Sequence, residues 1–395
     1  MIFTLEALQA KHGDSLVLHY GNDNKNPNII IIDGGPSGVY KNFLKKRLLE
    51  IRDALMGPNE PLPISLLMVS HLDDDHVNGI LQLTDDLQGP AINFDVENIW
   101  FNTFDDIIGN IQVTELASIT ASATVADVGG ISPVFATIDK DTSAVIASTG
   151  QGRKLRNDAE VLSIPVNNPF EPLGRGKPAL VRGDAGVGRI DWGGGLTIHV
   201  IHPNEGRLKE LQAKWDEDLR AAKKKGDDSI TVASFTDKSP FNLASIVCLV
   251  EFRGKTMLLT GDGRGDDILN GLRDADLLDN KGRIHVDILK MPHHGSDHNA
   301  STEFFKQVTA DHYVFSGDGS NNNPEKSTLV MISSATRGSD DFTLYFTNRD
   351  GKLGLKKKLD EFKKGERDLK RKYGFSFRKD KELSLKVDLL DEIDY

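Results

Sequence analysis

Residues 71–76 read His71-Leu72-Asp73-Asp74-Asp75-His76, directly behind the apolar run of residues 64–69. Five of these six side chains can ligate a metal, and carboxylates left unpaired in a protein interior are strongly disfavoured. The hexapeptide therefore belongs where a core strand opens onto solvent, other cations or a metal. A solvated acidic loop would explain Asp73 to Asp75 alone, but not the two flanking histidines. The chain must end a buried strand at a rim and gather compensating groups there.

The remaining sequence can build the core that such a rim requires. Hydrophobic residues make up 38% and charged residues 27% of 395, a balance that excludes a chain disordered throughout. The longest apolar run, residues 246–250, is five residues, against about 20 for a spanning helix. No membrane partner is expected. The alternating start Ile2-Phe3-Thr4-Leu5 reads as a strand rather than a signal peptide, which predicts a cytoplasmic protein. The one cysteine, Cys248, lies in an apolar stretch and is expected to be a buried thiol.

Alternation predicts strands at residues 3–8, 15–20, 28–32 and 64–69, with a helix at 41–55. Further strands are expected at 196–201, 244–252, 256–260, 286–291 and 312–315, with helices at 207–223 and 267–278. Residues 103–195 carry weaker signals and read as an insertion within one domain spanning 1–350. Two runs of strands, each with helices, predict an α/β (α+β) αββα sandwich of two mixed sheets flanked by helices.

Residues 352–381 hold 13 Lys or Arg against 5 Asp or Glu, a local +8 in a chain of net charge -11. Leu355, Leu359, Phe362, Leu369 and Tyr373 follow helical spacing there. Residues 351–395 are therefore expected to be a basic helical extension packed on the domain, its outer face either simply solvated or drawn to phosphates.

Several segments combine with the 71–76 cluster in order: His12-Gly13-Asp14-Ser15, Ile32-Asp33-Gly34-Gly35, Asn242 with Ser245, Leu259-Thr260-Gly261-Asp262, Leu289-Lys290-Met291-Pro292-His293-His294-Gly295-Ser296, and Asn323-Pro324. Together they resemble the metallo-β-lactamase fold, in the H-x-D-x-D-H variant similar to the β-lactamase-like domain of the competence proteins of the ComEC/Rec2 family. The resemblance spans about residues 1–350, apart from most of 103–195. The transmembrane parts of those proteins have no counterpart here, so DNA uptake through a membrane does not carry over.

The resemblance implies a metal-dependent hydrolase, a phosphodiesterase or nuclease acting on nucleic acid or a nucleotide by attack of a metal-bound hydroxide. His71 and Asp73 would hold one divalent ion, Asp75 and His76 a second, and Asp262 would bridge them. His293 would complete the second site, with His294 beside it either supporting the ligands or donating a proton, and Asp75 orienting the attacking hydroxide. Adjacent histidines on an extended segment point to opposite faces, and which of the two is the ligand stays open. Asn242, Ser296 and Asn323 would bind phosphate oxygens. Asp73 stands where histidine is more familiar, so manganese as well as zinc is expected, as two ions or a single one. His202 and Glu205 stand near where a further ligand often lies, but a loop or core role is expected for them. The alternatives are hydrolysis of a lactone, thioester or amide, or a non-catalytic binding module stabilised by metal.

Overall fold

Residues 28–32 read Asn-Ile-Ile-Ile-Ile, and a strand that is apolar on both faces must be covered on both. In the computed structural model Ile30 and Ile32 face a core between two sheets, while Ile29 and Ile31 face a second core beneath helices. The structure describes residues 1–103, 106–107, 140–173, 177–184, 186–210, 244–336 and 341–395.

The first part of the chain forms β1 (Ile2–Leu8), β2 (Leu16–Gly21), β3 (Asn28–Ile32), β4 (Leu62–Ile64), β5 (Leu66–Met68), β6 (Phe94–Val96) and β7 (Ile99–Trp100). The later part forms β8 (Arg189–Gly193), β9 (Leu196–His202), β10 (Val247–Phe252), β11 (Lys255–Leu259), β12 (Ile284–Lys290), β13 (Val308–Phe315), β14 (Thr343–Phe346), β15 (Gly374–Phe377) and β16 (Ser384–Asp388). One mixed sheet runs β16-β1-β2-β3-β5-β7 and the other β15-β14-β13-β12-β11-β10-β9-β8, while β4 and β6 pair separately. Phe3, Leu5, Leu18 and Trp100 of the first sheet meet Ile198, Cys248, Val250 and Ile288 of the second. Helices α1 (Lys45–Leu55), α2 (Asp74–Leu87) and α3 (Lys140–Val161) lie with the first part, where Leu48, Ile51, Val77, Ile80 and Leu155 share the outer core. Helices α4 (Gly265–Asp274), α5 (Thr302–Gln307), α6 (Lys326–Ala335) and α7 (Leu355–Asp368) lie with the second, through Ile268, Phe304, Leu329 and Leu359. The result is the αββα sandwich. Cys248 is buried in its middle, and burial pushes its thiol far above the ordinary value.

Two expected boundaries change. Residues 351–395 are not an appended helix. Helix α7 does pack through Leu355, Leu359 and Phe362, but β15 then extends the second sheet beside β14 and β16 pairs antiparallel with β1. The tail closes both sheets. The stretch 103–195 is likewise only partly an elaboration: Leu155 and Ala159 enter the outer core, and Phe170, Val181 and Ile190 the inter-sheet core. Residues 108–139, and the expected helix beyond 210, lie outside the described residues. Among the described residues no helix is long and apolar enough to cross a membrane.

β11, β12 and β13 run parallel, as do β3 and β5. Parallel strands deliver their carboxyl ends to one rim, and loops at such ends are free to carry chemistry. Ser70, Asp262, the pair His293-His294 and Ser316 all follow strand ends in this way.

Candidate metal centre

The 71–76 segment divides its work by residue type. Leu72 is fully buried and anchors the turn in the outer core. Asp73 is extended at the start of α2, and Asp74 and Asp75 occupy the first helical turn, where the helix dipole favours negative charge. His76 is buried on the same turn. Helix α2 is held close to the β3 end by paired glycines: Gly34 N–H donates to His76 C=O at 2.7 Å and Gly79 N–H to Gly35 C=O at 3.0 Å. A Cβ on Gly79 would lie 1.9 Å from the Gly34 carbonyl oxygen, so only glycine permits this approach.

Asp262 is the centre of the cluster. Although 186 residues separate it from His76, its Oδ1 lies 3.4 Å from His76 Nε2 and 3.6 Å from His294 Nε2. Its Oδ2 lies 3.4 Å from His293 Nε2 and 3.8 Å from His71 Nε2. Asp73 approaches His71 at 3.7 Å, and Asp75 approaches His294 at 3.6 Å and His76 at 4.0 Å. The carboxylate thus faces His71, Asp73 and His293 on one side and Asp75, His76 and His294 on the other.

Both adjacent histidines reach it because their segment is not extended. His293 and His294 occupy a tight turn with φ of 46° and 55°, the left-handed region that side chains with a Cβ seldom adopt. This removes the geometric ground for treating only one of them as a ligand, and it brings His294 rather than His293 to Asp75 and His76.

Partners on the far side of each ring define its tautomer. Asp33 accepts from His76 Nδ1 at 2.8 Å and from the Ser70 hydroxyl at 2.7 Å. Because Ser70 spends its proton on Asp33, its oxygen is left to accept from His71 Nδ1 at 3.1 Å. Asn299 donates its amide N–H to the Asp262 carbonyl at 2.9 Å, which turns its oxygen toward His293 Nδ1 at 2.8 Å. Asp14 faces His294 Nδ1 at 3.3 Å. In its neutral form each ring therefore carries its proton on Nδ1 and a lone pair on Nε2. His71, His76 and His294 Nε2 and Asp262 Oδ1 are buried without a hydrogen-bond partner. Such atoms are costly to leave alone, and four converging ones fit a cation.

The electrostatics agree with that fit. Burial alone would lower His76 and His294, yet Asp262 with Asp33 holds His76 well above its ordinary value, and Asp262 with Asp14 raises His294 to about 9. Burial would raise Asp262, but His293, His294 and His76 hold it well below the ordinary range. Burial, then Asp75 and Asp262, push the Asp73 carboxyl up to about 7. The cluster draws positive charge into a confined space. Metal binding at such a site competes with protons.

Asp14, Asp33, Ser70, Lys290, Asn299 and Ser316 are orienting residues to which sequence reasoning gave no role. The signal available for Asp33 and Lys290 was a charged residue at the end of an apolar run, and for Asp14 a carboxylate just before one. Ser296 and Asn323, expected to bind phosphate oxygens, make loop contacts in the structure: Ser296 Oγ accepts from His298 N–H at 3.3 Å, and Asn323 donates to His293 C=O at 3.1 Å. Asn242 lies outside the described residues. His202 donates from Nδ1 to the Ser245 carbonyl at 2.9 Å and joins none of the metal-holding groups among the described residues, while Glu205 pairs with Lys209.

No family model matches the chain, and no curated protein matches it. Among solved structures it is similar to the "Putative metal-dependent hydrolase" of Parabacteroides distasonis ATCC 8503, at 10% identity and a TM-score of 0.35 over 89% of this chain and 94% of that one. It is also similar to Zn(2+)-bound PqqB from Methylobacterium extorquens, at 11% and 0.33 over 95% and 87%. A protein of unknown function from Enterococcus faecalis V583 follows at 11% and 0.29 over 96% and 78%. Likeness of this degree fixes no chemistry.

Proposed function

We propose that the protein is a metal-dependent hydrolase with a two-ion centre, acting on phosphodiesters of nucleic acid or a nucleotide. The observation that carries the metal reading is the convergence of four orphaned ligand atoms, from His71, His76, His294 and Asp262, in a buried cluster. His71, Asp73 and His293 would hold one ion with Asp262 Oδ2, and Asp75, His76 and His294 the other with Asp262 Oδ1. Two divalent ions in such a site supply Lewis acidity and lower the pKa of water.

The chain's own residues supply the rest. Asp33, Ser70, Asn299 and Asp14 keep the Nε2 lone pairs aimed inward. The side chains of His293 and Asp73 are 33% and 28% exposed and form the open side from which a substrate reaches the centre. The buried rings of His71, His76 and His294 close the back of the site against water. The phosphodiester preference rests on the resemblance of the ordered motifs to those of the ComEC/Rec2 competence proteins. The basic tail supports it less than its charge suggests, because Lys358 is bonded to the carbonyls of Asn322 and Pro324 and Lys363 lies over the Phe375 and Phe377 rings.

Metal analysis of purified protein, joined to assays with bis-p-nitrophenyl phosphate, single- and double-stranded DNA and RNA, and a lactone panel, tests the reading. Metal-dependent cleavage of the phosphodiesters is expected. Turnover of lactones alone would replace the substrate class, and a metal-free protein active on any of these substrates would remove the metal reading.

A further inference from the structure

Behind the cluster lies a charged pair that is not needed to hold an ion. Lys290, at the end of β12, is completely buried and pairs with the buried Asp14 of the β1–β2 loop. Lys290 Nζ also reaches the Gly261 carbonyl at 3.4 Å, one residue before Asp262. Asp14 Oδ1 meets the Ser316 hydroxyl and His294 Nδ1, and its Oδ2 meets Lys290, with His76 Nδ1 4.0 Å away.

An ion pair in an interior recovers its desolvation cost poorly, and apolar residues of similar volume often serve stability as well or better. What an apolar pair could not supply is an acceptor behind His294. We propose that Lys290 and Asp14 form a positioning unit that fixes His294 in its ligating tautomer and orientation, and so sets the cation affinity of the Asp75–His76–His294 side.

The inference rests on the metal reading above and deepens it. A carboxylate only accepts, so Ser316 gives Asp14 its hydroxyl proton and His294 presents N–H at Nδ1. The Nε2 lone pair then points at Asp75 Oδ2 and Asp262 Oδ1, each 3.6 Å distant. Lys290 has a complementary task. Asp14 lies close enough to Asp33 and His76, and to Asp262 and His294, to act as a ligand itself. The Lys290 ammonium fills the cation position beside Asp14 and keeps that carboxylate an orienting group. The unit also ties the first sheet's β1–β2 loop to the ends of β11, β12 and β13, which sets the distance between His294 and the helix that carries Asp75 and His76.

The test compares the full-length protein with a double variant, Asp14→Leu with Lys290→Met, which keeps volume and removes both charges together. Zinc content after dialysis, calorimetric titration with zinc, and the visible spectrum of the cobalt-loaded protein report the centre, and urea unfolding reports the fold. The double variant is expected to unfold at a similar or higher urea concentration, to retain one ion, and to bind the second about 10- to 100-fold more weakly with an altered cobalt spectrum. Unchanged affinity for both ions and an unchanged spectrum would overturn the proposal and leave the pair a structural element. Ser316→Ala, which loosens Asp14 while sparing the ion pair, covers the case in which the double variant does not fold. It should weaken the second ion several-fold, and no change there would equally overturn the proposal. Full-length protein that binds no ion would overturn the metal reading itself, a result distinct from two ions bound with equal strength in wild type and variants.

Discussion

Replacing Gly79 by alanine is the sharpest probe of how the fold aims the centre. The new Cβ would stand 1.9 Å from the Gly34 carbonyl oxygen, and ordinary contact begins near 3.4 Å. Helix α2 and the Asp33-Gly34-Gly35 turn must therefore part by about 1.5 Å, the difference of those distances. The 2.8 Å contact between His76 Nδ1 and Asp33 lies beside this point and does not survive a displacement of that size. Overpacking costs about 1–3 kcal/mol and the lost charge-assisted hydrogen bond about 1.5–3 kcal/mol, while alanine's helical preference returns about 1 kcal/mol. A net loss of roughly 1.5–5 kcal/mol is expected. Gly365 is the control, since it lies on the exposed face of α7 with nothing within 4 Å of a Cβ; Gly365→Ala should stabilise by about 0.5–1 kcal/mol. Urea unfolding of the two variants, with zinc content measured alongside, makes the comparison. If Gly79→Ala matches wild type in stability and metal content, or behaves like Gly365→Ala, the close approach does not set the geometry of the site.

His71→Ala and Asp262→Ala should lose bound metal and hydrolytic activity together while keeping native circular dichroism, because both face the cluster; normal metal content in both would remove them from it. His19 is buried, and burial, against the pull of Glu6, holds it from an ordinary 6.5 down to about 4. The unfolded chain then binds a proton that the folded chain refuses, so stability should fall as pH drops from about 6.5 to about 4, by on the order of 3 kcal/mol from this group. His19→Gln should flatten that slope in urea titrations at stepped pH, and an unaltered slope would count against it. Lys358→Gln should destabilise by about 1 kcal/mol, since its ammonium bonds the Asn322 and Pro324 carbonyls. Lys357→Gln, at an exposed position, should be near neutral in the same urea assay. The manganese preference expected from Asp73 is checked by reconstituting dialysed protein with each ion; full activity with zinc and none with manganese would reject it.

The ligand candidates were legible because they stand in short contiguous motifs whose residue types make little sense in a core. His71 to His76 needs only a strand end before it, and Asp262 and His293-His294 likewise follow strands visible in the sequence. The orienting residues were not legible, because a role such as that of Asn299 depends on which way an amide turns between two loops. The His293-His294 geometry was misread for a related reason: alternation applies to extended backbone, and two left-handed residues in succession cancel it. In the fold, β1 to β3 and β9 to β13 show plain apolar patterns. β15 and β16 were hidden because they are four and five residues long in a segment rich in charged residues of both signs. The helix before them carried the stronger periodic signal, and it was extended over them.

The pairing of β1 with β16 sets a timetable for synthesis. Leu5 lies opposite Val387, so one edge of β1 has no partner until about 380 further residues have been synthesised. At about 5–20 residues per second that wait is roughly 20 to 80 s. During it, β1 presents a row of unsatisfied backbone groups, the feature that templates aggregation. A nascent chain stalled before residue 384 would keep every candidate ligand yet leave that edge open. Recombinant yield should therefore respond to chaperones and growth temperature more than the stability of the finished protein would suggest.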